Sequence, residues 1–73
     1  MSLSLLRLAR LDKGLTQFLL ARETGIPASR LSLMERDQLN PKEKEKQVLA
    51  RVLGRRVDEL FPTEYQDAKY QAQ

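Results

Sequence analysis

The 73-residue sequence contains no cysteine, no histidine and no tryptophan. Without cysteine there is neither a disulfide nor a thiolate metal site. Without histidine the chain lacks the usual general base and the commonest metal ligand. The ordinary tools of catalysis are missing, so the sequence reads as non-enzymatic, with no cofactor and no metal. No apolar run approaches the roughly 18 residues of a membrane span, and nothing resembles a signal peptide. The chain is therefore expected in the cytoplasm, with no membrane partner. Strand signals are nearly absent: there is no sustained alternation, and β-branched residues are few. At 73 residues there is room for one domain and one small core, and folding at this size buries only about 60% of the surface of the extended chain.

What is present is charge and leucine. Charged residues make up 32% of the chain and the formal net charge is +3. The charge is unevenly placed. Residues 1–61 hold twelve Lys and Arg against eight Asp and Glu, whereas residues 62–73 hold one against two. A basic body with a near-neutral tail suits a polyanionic partner, although an ordinary solvated surface has the same composition.

Glycine, proline and capping residues divide the chain into short helices. Helix 1 is expected from about Ser2 to Lys13, with Leu5, Leu6, Leu8, Ala9 and Leu11 available for a broad apolar face, and Gly14 ends it. Thr16 is a good N-cap for helix 2, about Gln17 to Thr24, and Gly25 follows as a C′ glycine would. Helix 3 is expected over about Ala28 to Arg36, with Pro27 near its first turn. Asn40 and Pro41 mark the start of helix 4, which runs to Leu53 before Gly54. Helix 5 covers about Val57 to Phe61 and is closed by Pro62. In the tail "TEYQDAKYQAQ", Thr63 and Gln66 have capping-box spacing, while the polarity and terminal position equally favour fraying.

Helix 3 is unusual. At about 100° per residue, Leu31, Met34 and Glu35 share an inward side, while Ser29, Ser32 and Arg36 share the opposite side with Leu33 among them. A polar helix thus puts a leucine outward and a glutamate inward. Only "TGIP" separates it from helix 2. That is helix-turn-helix spacing, and it also fits a tight corner in any helical bundle.

The ordered pattern is more specific than the spacing. Arg10, "GLTQ" at 14–17, Leu20 and Ala21, Gly25, "LS" at 31–32, Glu35, "NP" at 40–41, Leu49 and Ala50, "LG" at 53–54 and "LF" at 60–61 together resemble the Cro and lambdoid-repressor family, also called XRE-like. The resemblance covers about residues 3–62. It implies an all-α, compact five-helix lambda-repressor-like DNA-binding domain over residues 1–62, with helices 2 and 3 as the helix-turn-helix and a polar tail over 63–73. The implied function is a sequence-specific double-stranded DNA-binding transcriptional regulator, a repressor occupying a promoter, with helix 28–36 in the major groove. By position Ala28, Ser29, Ser32 and Leu33 would face bases. Thr16, Gln17, Arg30, Asn40 and Lys42 would hold phosphates, and Lys44 extends that set. Arg10 and Glu35 would form the family's buried ion pair, which accounts for an inward glutamate. Bidentate reading of adenine by Asn or Gln is not available at the base-facing positions, so thymine methyl groups against Ala28 and Leu33 are expected to matter.

The resemblance further implies a homodimer, at least on DNA, with contacts from helix 5, the loop before it, or the tail with Tyr65 and Tyr70. The chain also departs from the family pattern. In "QFLLA", Phe18 and Leu19 occupy positions that are often exposed. The favoured reading turns Phe18 inward to fill the core. The alternative leaves Phe18 or Leu19 as an apolar patch for a protein partner, as in an antitoxin-like or anti-repressor-like interaction module. "PKEKEKQ" places Glu43 and Lys46 where apolar residues are common, and its alternating charges read as a solvated face. Arg55 and Arg56 read the same way, with phosphate anchors or a dimer-edge cluster as alternatives. Asp37 stands where glycine is frequent and tolerates a left-handed backbone.

Overall fold

A computed structural model describes residues 4–62. Every regular element among them is an α-helix: α1 (Leu5–Asp12), α2 (Gln17–Thr24), α3 (Ala28–Glu35), α4 (Glu43–Leu53) and α5 (Val57–Leu60). The expected all-α, five-helix architecture is what the chain adopts. The tail with Thr63, Tyr65, Gln66 and Tyr70 lies outside the described residues, as do residues 1–3.

Side-chain chemistry sets several helix ends. Ser4 caps α1 by accepting the Arg7 N–H at 3.1 Å, so the described helix begins three residues after the expected Ser2. Thr16 caps α2 by accepting the Leu19 N–H at 3.0 Å. Gly25 closes it at φ +79°, the left-handed C-cap that glycine takes without a Cβ penalty. The α4 start differs from expectation. It lies at Glu43, two residues beyond Pro41, because the Glu45 carboxylate accepts the Lys42 N–H at 2.8 Å and fixes the first turn there. Phe61 leaves the helix at φ −136°, as a residue before proline is pushed to do. Asp37 takes φ +58°, the left-handed conformation expected of it.

One core lies between the helices. α2 packs on α3 and α4, α1 on α3 and α5, and α4 on α5. Each of α1 to α4 gives one fully enclosed leucine: Leu6, Leu20, Leu31 and Leu49. Ala9, Ile26, Met34, Leu53, Leu60 and Phe61 complete the buried cluster, with Ala21 partly buried against it. The broad apolar face expected of α1 is split. Leu6 and Ala9 point into the core with Arg10, while Leu5, Leu8 and Leu11 stay 45–49% exposed. The helical period places the two sets on different sides. Phe18 is 70% exposed, so the inward turn is overturned. On α2 the inward positions belong to Leu20 and Ala21, which leaves none for residue 18.

The charged start of α4 is not the simple solvated face its alternation suggests. The side chains of Glu45 and Lys46 keep only 15% and 14% exposure, engaged by Arg30 and Glu43 respectively. Arg55 reaches across to α1 and meets Asp12 at 2.7 Å. Arg56 pairs locally with Asp58 at 3.2 Å.

Candidate nucleic-acid interface

The turn between α2 and α3 is held from within. The Thr24 hydroxyl donates to the Leu20 carbonyl at 2.7 Å and accepts the Ile26 N–H at 3.2 Å. Pro27 then precedes α3, and its carbonyl accepts the N–H groups of Arg30 and Leu31. Glycine at 25 and this hydroxyl bridge let two helices meet across three residues.

The inward side of α3 is anchored by a buried polar node. Arg10 Nε donates to Glu35 Oε2 at 2.6 Å and Nη2 donates to Oε1 at 3.1 Å. Arg10 Nη1 donates to the Leu15 carbonyl at 2.8 Å, and Gln17 Nε2 donates to Glu35 Oε1 at 3.1 Å. Arg10 and Glu35 are 7% and 5% exposed. No buried side-chain nitrogen or oxygen among the described residues lacks a partner. The node joins α1, the loop after it, α2 and α3. The pair is legible in the resemblance; the Gln17 contact is not, because its position there implies only a phosphate ligand.

The outward side of α3 holds two serines and Ala28 together with Leu33 and Arg36. Ser29 is exposed, and Ala28, Ser32 and Leu33 are half-buried. The side-chain hydroxyls of Ser29 and Ser32 have no hydrogen-bond partner among the described residues, and Arg36 Nε folds back onto the Ser32 carbonyl at 3.2 Å. The N-terminus of α2 meets α3 through the Gln17–Glu35 hydrogen bond. The Thr16 hydroxyl takes one first-turn N–H, those of Gln17 and Phe18 have no intrahelical acceptor, and no acidic side chain lies in that turn. A helix end of this kind favours an anion.

At the other flank Asn40, Lys42 and Lys44 are exposed around the start of α4. Arg30 does not extend freely towards them. Its Nε and Nη2 donate to the two carboxylate oxygens of Glu45, both at 2.8 Å. Arg30 holds the Glu45 carboxyl below its ordinary range, chiefly through these hydrogen bonds, and Glu45 in turn raises Arg30. Sequence reasoning missed Glu45. Its spacing from Lys42 signals a first-turn acceptor, but its contact with Arg30 depends on how α3 and α4 pack.

Among the described residues no group of three or more Asp and Glu is placed to hold a metal ion, and no helix is long and apolar enough to cross a membrane. A family model described as helix-turn-helix matches residues 6–60. Neither a search of curated proteins nor one of solved structures gives a match.

Proposed function

Since this chain belongs to the Cro and XRE-like helix-turn-helix family of DNA-binding regulators, we propose that it is a repressor that binds a specific double-stranded operator with α3 in the major groove. The observation that carries this reading is the division of α3. Its inner side is locked through Glu35 to Arg10 and Gln17, while its outer side offers Ala28, Ser29, Ser32 and Leu33. Ser29 and Ser32 serve as adaptable hydrogen-bonding groups; Ala28 and Leu33 meet thymine methyls. Thr16 and Gln17 hold one phosphate at the α2 N-terminus, and Asn40 and Lys42 hold another stretch of backbone. These contacts set register, while the outer face of α3 sets sequence preference. The repressor binds as a homodimer on two-fold-related half-sites.

Selection from a random duplex pool tests this directly. The expected result is a two-fold-related motif rich in thymine, bound with steep salt dependence. Leu33→Ala is expected to relax the preference at one thymine while leaving the remaining positions intact.

One observation supports a second reading. Phe18, at 70% exposure, is a large aromatic surface suited to a protein partner, together with the half-buried Leu19. On that reading the pool yields no motif, a protein is captured with high affinity, and Phe18→Ser abolishes capture.

A further inference from the structure

Two bidentate arginine–carboxylate pairs fix α3. Arg10–Glu35 is buried, whereas Arg30–Glu45 lies at the surface, with the two side chains 31% and 15% exposed. The edge of a guanidinium formed by Nε and one Nη is one of the two edges that can clasp a phosphate bidentately. In Arg30 that edge is filled by a carboxylate of the same chain, with both contacts at 2.8 Å. Glu45 Oε1 also accepts the Lys42 N–H at 2.8 Å. One carboxylate therefore stands between the reading helix and the mixed-charge start of α4, where the flanking Lys42 and Lys44 are exposed on either side of Glu43.

Resting on the DNA-binding reading above, we propose that Glu45 sets the backbone affinity of this interface by occupying a phosphate-binding edge of Arg30 and removing one cation from the contacts made to DNA. The pair enters the interface as a neutral unit. An unpaired arginine at position 30 would add one phosphate contact to every duplex, whatever its sequence. Each such contact steepens the dependence of log K on log salt by about 0.9. The four outer positions Ala28, Ser29, Ser32 and Leu33 supply no bidentate base contact, so an added backbone contact would form a large part of the total binding. Glu45 keeps that part small.

The test uses the full chain and a random-sequence duplex in a salt titration, with Glu45→Gln and the double variant Arg30→Gln/Glu45→Gln. A glutamine oxygen at 45 can still accept the Lys42 N–H, which keeps the start of α4, and thermal unfolding verifies that each variant is folded. Glu45→Gln is expected to bind several-fold more tightly at about 0.1 M salt, with a slope steeper by about 0.9. The double variant is expected to keep the wild-type slope, because it removes a neutral pair. An unchanged slope in folded Glu45→Gln overturns the proposal. So does a double variant shallower by about 0.9, since Arg30 would then already be a phosphate contact in the wild type; this second arm can overturn the proposal even if the single variant fails to fold. A wild-type chain that binds no duplex at any salt overturns the DNA-binding reading and this proposal with it.

Discussion

Two carboxylates with similar partners carry different consequences. Glu35 is buried with Arg10, and removing either partner leaves an uncompensated charge away from water, a loss of roughly 3–5 kcal/mol. For a domain of this size that is a large share of the available stability. Arg10→Ala is accordingly expected to unfold at far lower urea than wild type, and a variant with an unchanged midpoint but weaker DNA binding would contradict the assignment. Glu45 is only partly buried and its partner Arg30 is more open to water, so their pairing contributes less than the enclosed pair, and its effect is read through pH. Arg30 depresses its folded-state titration below the ordinary 4.5. Its contribution is therefore fully present above that value and is lost as pH falls through the lower folded value. The difference in melting temperature between wild type and Glu45→Gln should be flat above pH 4.5 and shrink below it.

At the scale of elements, α2 does two things with one residue. Thr16 caps the helix by accepting the Leu19 N–H, and it stands at the end proposed to receive a phosphate. The roles separate by substitution. Thr16→Ala should cost about 1 kcal/mol in chemical unfolding. Thr16→Asp should keep the cap and the stability while placing a negative charge against the phosphate, so DNA affinity falls in a binding titration. The ends of α2 were legible because Thr16 and Gly25 act through their own local chemistry. The start of α4 was not. Asn40 and Pro41 signal a helix locally, but the first turn is fixed by Glu45, whose carboxylate is shared with Arg30 on another helix. Phe18 was misjudged for a related reason. Residue type suggested burial, whereas helical phase and the occupancy of the inward side by Leu20 and Ala21 decided its exposure. Helical period marked Glu35 as inward, and the family resemblance named Arg10 as its partner. The addition of Gln17 to that node required the packing of α2 against α3.

For the whole molecule, the proposed dimer makes a geometric prediction. Two copies related by a two-fold axis read half-sites about one helical turn apart, roughly 34 Å. Lengthening the spacer of a selected operator by half a turn, about five base pairs, should abolish joint occupancy, measured as the loss of the doubly bound band in a mobility-shift titration while single occupancy persists. The buried node also bears on how such a protein changes over time. Arg10, Gln17 and Glu35 hold α3 without using Ala28, Ser29, Ser32 or Leu33. On the proposed reading, exposed Ser29 and half-buried Ala28, Ser32 and Leu33 can be exchanged without touching that node, and the same scaffold would be retargeted from one operator to another by a few substitutions on one short stretch of helix.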